Sequence, residues 1–403
     1  MPLAVVLAAG LVFFAWGRLS HQAGSLSEME SGSGKPERAQ IYLGPANSIA
    51  VLPFAGDPNR QDGASLSYGF SRELHRLITR APGLLVTSRN SSFFFQGQAV
   101  PLPIIAERLK ARYLLSGEIL VSDEQVRVSA TLFDGKLKAE KWSRVFEGSL
   151  EDVFGIQDEI LEETIKYAAP GRQDEAPKSR PVSTQAWTNF LAGLYYQDQR
   201  TTAAYEMAEP AFLAAIEIDP AYTIARVSLA ELWLAMSATG SGDGDLVAAA
   251  RQALDAALRT EPDSAAALGL LSYIRRNEDW DWQGALDAAG KALQLNPGDP
   301  DLMSTVSLAM FSLGQFENAG DLLAASVRQD PLNLARRLQL GLLQEFAGQS
   351  DEALNSYRVI IGLNPDFPGV RAYRARIKII QNKPESALKE SEQEVDPFWK
   401  RYS

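Results

Sequence analysis

Five prolines, each behind an acidic or amide residue, punctuate the second half of the chain: Asp219-Pro220, Glu261-Pro262, Asn296-Pro297, Asp330-Pro331 and Asn364-Pro365. Their intervals are 42, 35, 34 and 34 residues. Proline lacks the N–H that an inner helical turn must donate, and its ring clashes with the preceding turn, so the series restricts this region to short helices that stop on schedule. Twelve positions before each proline stands an alanine: Ala208, Ala250, Ala285, Ala319 and Ala353. Eight positions before it stand Phe212, Leu254, Leu323 and Tyr357. An alanine at that fixed place lets two antiparallel helices approach closely, so the expected product is a run of helix pairs.

A 34-residue helix-pair period with that alanine resembles the tetratricopeptide (TPR) repeat. The resemblance covers residues 183–403, about six helix pairs. It departs from the pattern where the usual glycine of the first helix is Ala230, Ser272 and Ser307, while Gly341 keeps it. It implies that neighbours stack into a right-handed superhelix whose first helices line a concave groove. The groove-facing positions would then be Glu231, Tyr273, Arg276, Asn277, Phe311, Ser312, Glu345, Phe346 and Arg376. Aromatic, carboxylate and guanidinium groups together suit an extended peptide or a partner helix. Solvated faces and contacts between repeats would leave the same residues. The strip Arg371, Arg374, Arg376 and Lys378 reads first as a solvated face. The 42-residue interval holds an insertion, Thr239–Asp245, rich in Asp and Gly. It lacks the ligand spacing of a calcium loop and is expected to be a solvated connection.

Residues 48–170 read differently. Ser48–Phe54 is a short apolar strand, and Ser65–Arg80 carries Leu66, Phe70, Leu74, Leu77 and Ile78 at helical spacing. Leu84–Arg89 is a second strand and Ile104–Lys110 a short helix. Tyr113–Val121, Val126–Phe133 and Lys141–Glu147 form antiparallel hairpins, the middle strand alternating Val126, Val128, Ala130 and Leu132 against Arg127, Ser129 and Thr131. A helix over about 150–169 closes an α/β domain with helices on one face or both.

SIAVLPF, GFSRELHRLITRAPGLLVTSRNSSFFFQG, ARYLLSGEILVSDEQVRVSATLFDG, a Trp-bearing strand and DVFGIQDEI follow in an order similar to the TolB-like amino-terminal domain. The resemblance rests on Pro53, Phe54, Gly69, Pro82, Gly83, Ser88, Phe93, Gly97, Gly117, Trp142 and Gln157. Ala55–Asn59 departs mildly from the family's acidic-glycine segment. The resemblance implies a non-catalytic module found in bacteria behind a membrane span, in TPR regulators and in some proteins named adenylate cyclases. Packing accounts for the same residues: Gly69 and Gly117 as close approaches, Phe93–Phe95 as a core cluster.

Pro2–Gly17 is almost wholly apolar and uncharged, about 24 Å long as a helix against a hydrocarbon core of about 30 Å. A single uncleaved anchor is the first reading; a signal peptide and a buried helix are the others. Arg18, Lys35 and Arg38 lie on one side of it and lean toward a cytoplasmic C-terminal part, whereas the family points to the periplasmic side of a bacterial inner membrane. Residues 20–47 and 171–182 read as linkers. Ser33-Gly34-Lys35 lacks both ends of a phosphate loop, Met29 and Pro36 standing there instead.

With no cysteine and only His21 and His75, the chain excludes disulfides, thiolate chemistry and most histidine-based sites. A formal charge of -11 disfavours nucleic acid. No G-x-S-x-G or H-E-x-x-H pattern occurs. The expected architecture is therefore α/β plus all-α behind an N-terminal membrane helix, without enzyme activity, cofactor or metal. The expected partners are a protein or peptide through the groove and the bilayer through residues 1–19. The alternative is the regulatory half of a split or truncated signalling protein, an adenylate cyclase or membrane-bound transcription regulator, whose output domain lies upstream.

Overall fold

The computed structural model describes residues 44–57, 63–122, 125–178, 182–242, 244–394 and 397–400. No helix among them is long and apolar enough to cross a membrane, and the expected span Pro2–Gly17 lies outside them.

The first elements are β1 (Ser48–Val51), β2 (Ala55–Gly56), α1 (Gly63–Thr79), β3 (Leu85–Val86), α2 (Arg89–Phe93) and α3 (Leu102–Leu109). β4 (Tyr113–Ser122), β5 (Gln125–Asp134), β6 (Ala139–Ser149) and α4 (Val153–Ala168) follow. They build a mixed sheet in the order β3-β1-β4-β5-β6, with β2 also on β4. β3, β1 and β4 run parallel, whereas β4, β5 and β6 are antiparallel. The alternation of β5 sends Val126, Val128, Ala130 and Leu132 into one core with the apolar stripes of α1 and α4. Ala50, Leu52 and Leu114 point the other way, onto Phe95 and α3, so helices cover both faces at this end. The expected strand over Leu84–Arg89 shortens to two residues, because Arg89–Phe93 turns into a helix. Phe95 is buried as expected, while Phe93 and Phe94 are half-buried.

Twelve helices follow, beginning with three antiparallel pairs: α5 (Thr184–Gln199) with α6 (Thr202–Ile218), α7 (Thr223–Thr239) with α8 (Leu246–Thr260), and α9 (Ala265–Asn277) with α10 (Trp282–Leu295). α11 (Pro300–Ser312) precedes α12 (Phe316–Gln329), and α13 (Leu334–Phe346) pairs with α14 (Ser350–Leu363). α15 (Val370–Ile380) pairs with α16 (Pro384–Glu392), and a short α17 (Pro397–Lys400) ends the described chain. α6, α8, α10, α12 and α14 each stop two residues before a proline of the series. The five spaced alanines are all fully buried. Where the second helix offers an aromatic ring, the first offers glycine. A Cβ on Gly193 would lie 2.5 Å from the Phe212 ring, and one on Gly341 would lie 2.3 Å from Tyr357. Where the second helix offers Leu254, the first carries Ala230. At Ala230 the departure from glycine thus goes with a smaller partner side chain. In the insertion, Asp245 caps α8 by accepting from Ala248 N–H at 2.9 Å.

The described residues form two compact units, one within Ile41–Ala309 with Gln329–Leu332, the other within Met310–Arg328 and Asn333–Ser403. In the first, the sheet and the opening helix pair share a core: Gly69 of α1 admits Leu191 of α5, and Phe154 meets Trp187 edge-on at 6.0 Å. In the second, Trp399 folds back onto Gly369 and packs against Tyr373 at 5.3 Å, so the terminal ring covers the last pair.

Gly341→Ala is expected to cost about 1–3 kcal/mol by overpacking, and Tyr357→Leu in the same chain is expected to recover part of that loss. A double-mutant cycle in urea reads the coupling; strictly additive losses would contradict the ring-on-glycine contact.

Candidate functional site

Of the expected groove residues, Glu231, Tyr273, Arg276 and Asn277 belong to the first unit. Phe311, Ser312, Glu345, Phe346 and Arg376 belong to the second.

In the second unit, three helices bring residues together. Phe311 at the end of α11 meets Phe346 at the end of α13 edge-on at 5.3 Å, and Phe346 keeps 38% of its surface exposed. One position earlier, Glu345 accepts two hydrogen bonds from Arg376 of α15, at 2.7 and 2.8 Å, and a third from the Tyr357 hydroxyl at 3.3 Å. The fork geometry makes this a strong pair. Burial opposes the charge of Arg376, yet the bond to Glu345 prevails and raises its pKa. The guanidinium also lies 5.0 Å above the Tyr373 ring, whose hydroxyl burial pushes to about 12. Ser312 is half-buried beside Phe311 in sequence. Arg371 and Arg374 of the basic strip both pair with Glu390 of α16, so those two form contacts between helices.

In the first unit, Tyr273 and Arg276 of α9 are half-buried. Burial lifts the Tyr273 hydroxyl to about 12 and lowers the Arg276 guanidinium to about 10. Asn277 donates back to the Tyr273 carbonyl at 2.9 Å and finishes its own helix. Glu231 of α7 is paired with Arg72 of α1 at 3.5 Å, and Arg72 also lies 3.6 Å from Asp198 at the end of α5. Arg89 reaches the same Asp198 oxygen at 3.4 Å. Burial pushes the Arg72 guanidinium down to about 9, helped by Arg89 and opposed by Glu231. Burial likewise lifts the Asp198 carboxyl to about 6, with Arg200 opposing and Glu231 adding. One turn on, His75 Nε2 lies 2.9 Å from the Thr87 carbonyl, and burial pushes its pKa down to about 4. Ser91 of α2 donates to Asp330, and the Leu332 N–H donates to Ser91 Oγ at 3.1 Å. Glu231 and Asp330 thus meet side chains of the sheet-bearing region, a pairing that helical spacing within the repeats could not disclose. The faint signal lay in α1, where Arg72, Arg76 and Arg80 recur every four residues. Among the described residues no group of His, Asp and Glu could hold a metal ion.

The chain is 27% identical over 246 residues to a protein named putative adenylate cyclase 3 of Rhizobium meliloti (strain 1021), covering 58% of this chain and 41% of that protein. It is 29% identical over 137 residues to BBSome complex member bbs-4 of Caenorhabditis elegans, covering 32% of this chain and 29% of that one. It therefore spans about two-fifths or less of the length of these curated relatives. Among solved structures, PilW, titled a widely conserved type IV pilus biogenesis factor, aligns with a TM-score of 0.46 at 16% identity, over 53% of this chain and 93% of that one. YrrB, titled a TPR protein with an unusual peptide-binding site, aligns with a TM-score of 0.36 at 21% identity, over 45% and 89% of the two chains. No family model matches the chain.

His75 gives a pH signature. Its folded pKa of about 4 lies below the unfolded 6.5, so between these values the unfolded chain binds more protons and stability falls as pH drops. Asp198 has the opposite sign: its raised pKa makes the folded state gain protons over about 4–6, so stability there rises as pH drops. His75→Asn isolates the first effect. The stability gap between variant and parent is expected to shift by about 2–3 kcal/mol in favour of the variant from pH 7 to pH 4. A pH-independent gap in chemical denaturation would contradict the buried neutral imidazole.

Proposed function

We propose that the chain is a membrane-tethered, non-catalytic interaction protein, a TolB-like module followed by TPR helix pairs that hold a partner protein or peptide on their first-helix faces. The single observation that carries this reading is the patch in the second unit. There the exposed Phe346, edge-on to the half-buried Phe311, borders the Glu345–Arg376 fork. A ring that stays accessible beside an oriented charge pair is the usual make-up of a peptide anchor. Glu231, Tyr273, Arg276 and Asn277 are assigned to partner contact on the repeat resemblance, and Ser312 with them. The tether is Pro2–Gly17 in a bacterial inner membrane, and the soluble part is assigned to the periplasmic side on the TolB-like resemblance, with the cytoplasmic side as the alternative.

The similarity to a protein named putative adenylate cyclase 3 supports a second reading, in which the chain supplies the regulatory half of a signalling protein. In that case the groove would bind the output domain itself.

In the full chain, Phe346→Ala and Arg376→Glu are each expected to weaken a purified partner's binding by about tenfold or more, while Arg127→Ala on the exposed side of β5 leaves it unchanged. Unaltered affinity in both variants would end the groove reading. Removing residues 2–17 is expected to release the chain from the membrane pellet, and a reporter fused at the C-terminus reads the side. Retention in the pellet after that deletion would refute the tether.

A further inference from the structure

β6 is the last strand of the sheet and, at 11 residues, its longest. One side of it is spent on β5, from Asp134 opposite Ala139 to Gln125 opposite Ser149. Among the described residues no other strand pairs with residues 139–148, and nothing else hydrogen-bonds to their backbone. Such an edge is a template for one more strand unless a bulge or charge of one sign blunts it. The register shift of β6 falls at its start, opposite Leu132 and Phe133, and Trp142–Ser149 runs on without interruption.

The charge along β6 is not of one sign. Over residues 136–152, Lys136, Lys138, Lys141 and Arg144 precede Val145 with Glu140 alone against them, whereas Glu147, Glu151 and Asp152 follow it with no cation among them. Arg144 is answered within the chain by Glu159 at 3.5 Å and Glu163 at 3.7 Å, and Glu147 by Arg127 at 3.5 Å. Asp152 accepts from the Ser149 N–H and hydroxyl, both at 2.8 Å. The three lysines and Glu151 have no ion pair among the described residues. A strand that is positive before its middle and negative after it repels a parallel copy of itself and attracts an antiparallel one.

A two-fold axis perpendicular to the sheet matches the faces of two such copies only when residues of like parity meet, so it passes through a residue. Through Arg144 or Glu147 it opposes like charges. Through Ser143 the bulge interrupts the ladder at once, and through Phe146 each Val145 meets a Glu147 carboxylate. Through Val145 every pair is compatible: Arg144 meets Phe146 of the second copy, Ser143 meets Glu147 and Trp142 meets Gly148, while the lysines approach Glu151 and Asp152. Val145 lies opposite Ser129 on the uncovered face and is 48% exposed, so two copies of it would cover each other. The Arg144 guanidinium already sits 5.0 Å over the Phe146 ring of its own chain, a contact the pairing would repeat between chains.

We infer that β6 pairs antiparallel with β6 of a second copy of this chain about Val145, joining two sheets into one across an isologous interface.

The chain holds no cysteine, so an introduced one reports only its own neighbours. In the full chain in mild detergent, Val145→Cys is expected to give a disulfide-linked dimer on mild oxidation, because the axis sets position 145 against itself. Arg127→Cys, on the strand behind, is expected to stay uncrosslinked. Ser143→Cys and Glu147→Cys are expected to crosslink when mixed and not when oxidised separately. Val145→Lys opposes two cations at the axis and is expected to weaken the dimer, read by sedimentation equilibrium, by about tenfold or more, with the far-ultraviolet dichroism unchanged. A chain that sediments as a monomer at every concentration overturns the inference. So does a dimer that Val145→Lys leaves intact, or crosslinking no faster in Val145→Cys than in Arg127→Cys.

Discussion

The close approach of the two helices within each pair sets the terms for everything else in the repeat region. The spaced alanines and the glycines opposite aromatic rings let backbones come near enough for side chains to interdigitate at interior density. Gly193 takes Phe212 and Gly341 takes Tyr357, while the smaller Leu254 is met by Ala230. The proline two residues past α6, α8, α10, α12 and α14 then fixes where the chain turns, so packing and punctuation act on the same repeating frame.

The same kind of contact joins the sheet to the first pair. Gly69 admits Leu191, and the core continues from Val128 and Ile160 through Trp187 and Phe190. Once α1 is seated on α5, Arg72 is largely buried and meets carboxylates on the repeat helices, whereas Arg76 pairs with Glu73 of its own helix. Asp198 and Glu231 supply those carboxylates, a pairing that follows from the seating rather than from any motif. In the second unit Glu345 takes two hydrogen bonds from Arg376, and Phe346 is left at the surface beside them. One charge cluster therefore ties the sheet-bearing region to the repeat helices, and the other borders an exposed ring.

Much of the framework was legible in the sequence because it depends on local periodicity. The helix over Ser65–Arg80, the alternation of β5 and the stops before Pro220, Pro262, Pro297, Pro331 and Pro365 each follow from neighbours within one element. The candidate site was legible only in part. Arg376 reads as one of four basic residues on a helix, and nothing local says that it reaches back 31 residues to Glu345 while Arg371 and Arg374 turn to Glu390. The short helix at Arg89–Phe93 was missed because β-like composition at its start hid the turn.

By itself, then, the sequence determined a chain of short helices behind a small mixed α/β module, poor in the side chains of nucleophilic and metal chemistry. Spacing and composition suffice for that, since helix stops, strand alternation and absent residue types do not depend on distant partners. Only the tertiary structure decided which charges meet: Arg72 with Asp198 and Glu231, Ser91 with Asp330, Arg376 with Glu345. The physical reason is that a buried ion must be answered by whatever the fold brings beside it, and that neighbour is set by packing between elements, which no single period records.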